Sequence, residues 1–201
     1  VTGGVAILVP AAGASRRMRG RDKLLEVVRG RALLRERAEV ALALGADVLV
    51  TLPPGGAARA AVLDGLAVAR CEVPEAAEGM AASLRAGAGW ARARGACGLM
   101  VLLPDMPDLT EADIRSALQA YDDKSILRAT TEGGQPGHPV IFPAALLPEM
   151  AALRGDAGAR DLLSRHPVRL LPLPGTRAIT DLDTPEDWAA WRARNAPDGA
   201  G

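Results

Sequence analysis

Short runs of nearly unbroken apolar residues, each of strand length and most followed by a helical pattern, constrain this 201-residue chain more than any other feature. The first half holds four of them: Val5–Pro10, Val48–Leu52, Leu66–Val73 and Leu99–Leu103. Strands so poor in polar positions are those buried on both faces, as in a parallel sheet. Between them, Ala32–Leu44, Ala57–Leu63, Met80–Arg94 and Glu111–Tyr121 carry helical spacing. Strand and helix alternating in this way predict an α/β fold, a Rossmann-like three-layer αβα sandwich with a mostly parallel sheet.

The second half is less regular. Ser125–Ala129 and Pro139–Phe142 are expected strands joined by a turn at Gly133-Gly134. Val168–Leu173 and Ala178–Leu182 are read as short strands, Ala144–Leu153 and Ala159–Arg165 as helices. Thr184-Pro185-Glu186-Asp187 opens a last helix, with Thr as N-cap, Pro at the first helical position and acids in the first turn. No internal repeat or linker interrupts the chain. Residues 1–194 are therefore expected to form one domain, followed by a flexible Pro/Gly/Ala-rich tail at 195–201.

Composition narrows the function classes. Lys+Arg and Asp+Glu balance at 24 each, which argues against a dedicated nucleic-acid or membrane-surface binder. No apolar run approaches the ~18 residues of a membrane span. The apolar start is too short for a signal peptide and lacks a basic flank. Cys71 and Cys97 lie far apart beside apolar runs and read as buried free thiols. The expected location is the cytoplasm.

In an open parallel sheet, ligands bind beyond the carboxyl ends of the strands. The first strand runs into Pro10-Ala11-Ala12-Gly13-Ala14-Ser15-Arg16-Arg17-Met18 and then Asp22-Lys23. Small residues let the backbone approach a ligand and leave N–H groups for phosphate oxygens. Arg17 and Lys23 can neutralise a triphosphate; a solvated basic loop is the plainer reading. The loop matches neither G-x-x-x-x-G-K-[ST] nor G-x-G-x-x-G. The fourth strand ends in Pro104-Asp105-Met106-Pro107, where Asp105 is either a hard-cation ligand or a turn carboxylate. Asp181 and Asp183 follow another apolar run. Read as pointing to opposite sides, they would supply at most one ligand beside Asp105, the other making a structural contact to a nearby loop. His138 is either an acceptor contact or a structural histidine, Asp156 reads as a helix N-cap, and His166 as solvated. Leu84 and Trp90 fall at helical spacing and are expected in the core, as are Trp188 and Trp191 on the last helix.

Taken in order, these motifs resemble the MobA-like nucleotidyltransferases from Val5 to about Arg192, and within them the molybdenum cofactor cytidylyltransferases. The resemblance rests on Ala11-Ala12-Gly13-Ala14-Ser15-Arg16-Arg17-Met18 with Lys23, on Gly79-Met80-Ala81-Ala82-Ser83-Leu84-Arg85-Ala86-Gly87, and on Asp105-Met106-Pro107. It continues through Gly137-His138-Pro139-Val140, Gly155-Asp156-Ala157-Gly158-Ala159-Arg160 and Asp181-Leu182-Asp183-Thr184-Pro185-Glu186-Asp187. It implies a fold of the nucleotide-diphospho-sugar transferase type. It also implies transfer of CMP from CTP to the terminal phosphate of molybdopterin, with release of pyrophosphate. Ala11, Ala12, Gly13, Ser15, Arg17, Lys23, Gly79, Met80, Ser83 and Met106 would bind the nucleotide. Arg17, Lys23 and Asp105 would be catalytic, Asp105 and Asp181 would hold Mg²⁺, and His138 and Arg160 would meet the acceptor. A target molybdoenzyme would receive the product. Relatives using GTP tend to carry other residues at Ala12 and Met106, which lean toward CTP here. GTP, a different phosphorylated acceptor, and a non-catalytic nucleotide- or cofactor-binding module are the alternatives. Pro10 and Pro104 depart from the family's usual Leu and Gly, and each removes an N–H.

Overall fold

The computed structural model describes residues 3–155 and 159–195. The expected Asp156 cap and all of the tail except Asn195 lie outside the described residues. Among the described residues nine strands appear in chain order: β1 (Gly3–Pro10), β2 (Val27–Val28), β3 (Arg31–Ala32), β4 (Val48–Leu52), β5 (Ala69–Glu72), β6 (Ala96–Val101), β7 (Ile126–Thr130), β8 (Pro136–Pro143) and β9 (Val168–Pro172). The helices are α1 (Leu33–Ala43), α2 (Ala57–Ala61), α3 (Met80–Ala93), α4 (Glu111–Ala120), α5 (Leu147–Ala151), α6 (Arg160–Arg165) and α7 (Pro185–Arg194).

Seven strands make one sheet in the order β5-β4-β1-β6-β8-β7-β9, and β2 pairs with β3 in a small hairpin that the sequence reading did not contain. Only β8 runs against the rest: it is antiparallel to both β6 and β7, while the other pairs are parallel. The reversal follows from the turn at Gly133-Gly134, where Gly134 takes φ 84° and its N–H meets the Thr131 carbonyl. β1 shows why its residues are apolar throughout. Ile7 and Val9 enter one core with α1, α4 and α7, whereas Ala6 and Leu8 enter the other with α3, α5 and α6. Thr184 caps α7 through a reciprocal bond with Asp187, and Trp188 and Trp191 pack edge to face beneath it.

Some expectations change. Ala178–Leu182 is not a strand. Ala178 and Leu182 are buried and Ile179 partly so, but the backbone bonds go singly to different elements: the Ala178 carbonyl to His138 and the Leu182 N–H to the Asp105 carbonyl. No ladder forms from such isolated bonds. The expected helix over 144–153 becomes a 3₁₀ turn followed by α5, with Pro148 in the first turn of α5. Cys71 and Cys97 are free but only half-buried. His166 is not simply solvated, since its Nε2 lies 3.2 Å from the Glu149 carboxylate. Trp90 is half-buried beside the core, with the Arg94 guanidinium over its ring. Among the described residues no helix is long and apolar enough to cross a membrane.

Candidate active site

β1 and β6 are neighbours, so the loops that leave their carboxyl ends lie side by side. Residues 11–22 fold back tightly. Ser15 and Arg19 take left-handed conformations around a 3₁₀ turn whose Met18 is fully buried. Arg59 of α2, 5% exposed, holds this loop from within. Its guanidinium donates to the carbonyls of Ala11 (2.6 Å) and Gly13 (2.7 Å), to the Ser15 hydroxyl (3.2 Å), and to Asp22 (2.6 and 2.9 Å). Those contacts use the full donor set of an arginine. The loop after β6 is held likewise by Arg37 of α1, 1% exposed, which pairs with Glu36 and donates to the carbonyls of Met106 (3.3 Å) and Leu109 (2.5 Å). Sequence reasoning missed both arginines. A signal existed for Arg37: it follows Leu34 by three positions, on the stripe shared with Ala38 and Ala41. A charge on a helix's apolar face needs a buried partner.

Lys23 stands between the two loops. Its Nζ lies 2.5 Å from Asp105 Oδ2 and 2.5 Å from Asp183 Oδ1, and Arg17 reaches the other oxygen of Asp183 at 2.5 Å. Burial opposes the Lys23 charge, but the two carboxylates outweigh it and raise the ammonium above its ordinary pKa. Asp105 Oδ1 is buried and has no hydrogen-bond partner among the described residues. Asp181 is open to solvent. Its carboxyl is nevertheless held above the usual range, first by partial desolvation and then by the charges of Asp105 and Asp183. Residues two apart in an extended chain share a face, so the opposed orientation expected for Asp181 and Asp183 has no basis. Asp183, set aside as a loop contact, does touch the loop, but through Lys23 and Arg17 themselves. Among the described residues no three His, Cys, Asp or Glu side chains converge as a complete metal cage.

Three hollows share walls along this edge. A cleft of about 530 Å³ is lined by Ala12, Gly13, Ser15, Arg17, Lys23, Gly79 and Asp183. A recess of about 170 Å³ shares Lys23 and Gly79 with it and adds Met80, Ser83, Asp105, Pro10 and Pro104. Met80 also lines a third pocket, of about 410 Å³, which contains His138, Arg160 and Arg128. Most residues expected at the nucleotide therefore face one continuous stretch of wall. Two do not. Ala11 is fully buried and Met106 is 1% exposed in the core, so neither side chain reaches a hollow. Each contributes a carbonyl to a buried arginine instead. Ser83 is buried, with its hydroxyl accepting from Thr51 at 3.0 Å. His138 and Arg160, far apart in sequence, do line the same pocket. His138 is held by its backbone N–H to Ala178 at 2.8 Å. Gly137 must be glycine for this approach, because a Cβ there would lie 1.9 Å from the Ala178 carbonyl oxygen. Burial, and then the Arg128 charge, lower the His138 pKa to about 4 against the opposing pull of Asp105.

Comparison with known proteins places the chain among relatives of known family and fold. Residues 7–170 match the MobA-like NTP transferase domain. The molybdenum cofactor guanylyltransferase of Cereibacter sphaeroides is 33% identical over 188 residues, spanning 90% of this chain and 92% of that protein. The crystal structure of Rv0371c from Mycobacterium tuberculosis superposes with a TM-score of 0.81 at 30% identity, covering 95% of this chain and 98% of that one. The manganese complex of Rv0371c gives 0.74 at 31% identity, covering 94% and 98%. The sandwich is of the nucleotide-diphospho-sugar transferase type.

Proposed function

The chain belongs to the MobA-like NTP transferase family and is a nucleotidyltransferase; from that premise we propose that it transfers a nucleoside monophosphate from an NTP to the terminal phosphate of a molybdopterin-type acceptor, releasing pyrophosphate. The observation that carries this reading is Lys23 bridging Asp105 and Asp183 beside a cleft walled by small residues. An ammonium between two carboxylates marks a spot where positive charge is stabilised. The unpartnered, buried Asp105 Oδ1 is an acceptor suited to a hard cation. Asp105, with Asp181 or Asp183, would hold Mg²⁺ or Mn²⁺. Two carboxylates suffice, because such ions take their remaining oxygens from phosphates and water. When bound, the cation would neutralise the triphosphate and the departing pyrophosphate.

The chain's own groups supply the rest. Free backbone N–H groups of residues 12–15 and the side chains of Arg17 and Lys23 would hold the phosphates. The Lys23 ammonium, placed between Asp105 and Asp183 at the cleft wall, would neutralise charge on the α-phosphate. An acceptor phosphate oxygen attacks the α-phosphorus in line. The bond to the bridging oxygen of pyrophosphate breaks as the new one forms. The nucleophile is already an anion, so positioning and charge neutralisation carry the rate and no general base is required.

For the base, GTP comes first, because the curated relative at 33% identity is named a guanylyltransferase. Met106, one of the two residues that lean toward CTP, is buried away from the cleft. CTP is the second reading and rests on Ala12, which lines the cleft. The test is pyrophosphate release with GTP and with CTP, each with Mg²⁺ and molybdenum-loaded molybdopterin. We expect GTP-dependent release, reduced on the order of a thousandfold in Asp105→Asn with unchanged circular dichroism. A CTP preference would reverse the base, and an active Asp105→Asn would remove the metal reading. Tight nucleotide binding without release would make the chain a binding module.

A further inference from the structure

Arg128 is the one charged residue of β7, on a strand otherwise made of Ile126, Leu127, Ala129 and Thr130. Alternation puts it on the face of Ile126, opposite Val140 and near Phe142, all members of the core that α3, α5 and α6 cover. The guanidinium is half-buried, and that desolvation lowers its pKa. An arginine there ordinarily has a carboxylate partner. Among the described residues Arg128 makes no ion pair, and its only hydrogen bond is from Nε to the Gly137 carbonyl at 3.2 Å. Its terminal nitrogens have no protein acceptor among those residues, and the side chain lines the 410 Å³ pocket. Two further polar groups face the same space. Arg160 adds a second positive charge, and His138 carries a buried Nδ1 with no hydrogen-bond partner among the described residues. The walls between them are apolar, and among the described residues no acidic side chain lines the pocket.

We propose that Arg128 is the anion anchor of this pocket, gripping a phosphate oxygen pair of the acceptor through its terminal nitrogens while His138 lends a neutral ring nitrogen to the same ligand. The inference rests on the acceptor reading above and sharpens it to one residue. The Nε bond to Gly137 fixes the plane of the fork, and Gly137 sits directly before His138, so both groups are aimed by one stretch of β8. Planar bidentate contact is what arginine offers a phosphate and lysine does not. Met80 and Leu103 line both this pocket and the recess holding Asp105. A phosphate held by Arg128 therefore lies one wall away from the nucleotide's phosphates.

Two arms test the proposal. In the first, inorganic phosphate is titrated into protein labelled at histidine, whose two rings are told apart with His166→Gln. Phosphate is expected to shift the His138 resonances saturably in the wild type, with at least tenfold weaker affinity in Arg128→Gln and intermediate affinity in Arg128→Lys. In the second, steady-state assays are expected to give Arg128→Gln a KM for molybdopterin at least tenfold higher and a KM for NTP within twofold of wild type. An unchanged phosphate shift in Arg128→Gln overturns the anchor, and so does an equal rise in both KM values, which is what a structural role would give. A folded Arg128→Lys carries both readouts should Arg128→Gln fail to fold. The arms also separate the two claims. Arg128-dependent phosphate binding without molybdopterin turnover keeps the anchor and removes the acceptor reading, whereas turnover with unaltered Arg128→Gln kinetics does the reverse.

Discussion

Arg59 and Arg128 are both arginines withdrawn from solvent at the edge of the candidate site, and they are used in opposite ways. Arg59 makes five hydrogen bonds to the protein, and through them holds residues 11–22 in their folded-back course. Arg128 makes one among the described residues, and its side chain lines the pocket. On the proposed reading the first arginine shapes a binding surface made of backbone, and the second is itself part of one. A charge fully used by its own protein supports the fold, whereas a charge left unpaired in an apolar pocket lowers stability and is available to a ligand.

Stability measurements can break that contrast. Arg59→Met removes the partner of Asp22 and strands two carbonyls, and is expected to cost about 3–5 kcal/mol in denaturant unfolding. Arg128→Met removes an unpaired, desolvated charge and is expected to stay within about 1 kcal/mol of wild type. Equal losses in the two variants would mean that Arg128 is as structural as Arg59, and would undercut its role as an anchor.

The same two regions differ in how far they could be read from sequence. The loop end was legible because its parts are contiguous: small residues, Arg17 and Lys23 follow one strand within a few positions, and Asp105 directly follows another apolar run. The pocket was only half legible. His138 and Arg160 stood out through the resemblance, but Arg128 did not, since a lone arginine in a short strand becomes informative only when its neighbours are known to be buried. Arg59 was hidden for a related reason. Ala57–Ala61 has too little pattern to show which face is inward, and the partners are loop carbonyls with no side-chain signature. Asp183, read as a contact to a nearby loop, does reach that loop at Arg17 and Lys23; what misled was the supposed strand at 178–182. Its buried residues Ala178 and Leu182 imitate a strand's apolar content, while its backbone bonds run to β8 and to Asp105.

A smaller effect sharpens the contrast at His138. Its pKa is about 4 in the folded protein against 6.5 for the free side chain, with burial first and then Arg128 opposing the charge and Asp105 favouring it. The unfolded chain therefore takes up the proton first as the pH falls. Above about pH 6.5 this residue adds no pH dependence to folding; between 6.5 and 4 the folded state loses stability, by up to about 3 kcal/mol. His138→Gln should flatten that segment of the unfolding profile. Arg128→Met should shift its lower limit upward, because a positive charge opposing the imidazolium is gone. A profile unchanged by Arg128→Met would mean that the two side chains do not sense each other, against the shared pocket.

The smallest expected effect lies at Pro10, where the loop end meets the recess. Along β1 the N–H groups of Ile7 and Ala11 turn to β4, so residue 10 turns toward β6 with Leu8. The ladder to β6 closes with the Leu102 N–H on the Leu8 carbonyl. The next bond would need an N–H from residue 10, which proline lacks. The strands part there, and the recess lined by Pro10, Leu103 and Pro104 occupies the gap. Pro10→Leu restores the donor, and is expected to raise stability by about 1 kcal/mol at most. The preference between GTP and CTP should not move, because the recess is lined by Lys23 and Asp105, the groups proposed for the phosphates and their cation, and not by Ala12. A reversed preference in Pro10→Leu would show that the proline ring touches the base, and would shift base selection from the wall of the cleft to the gap between β1 and β6.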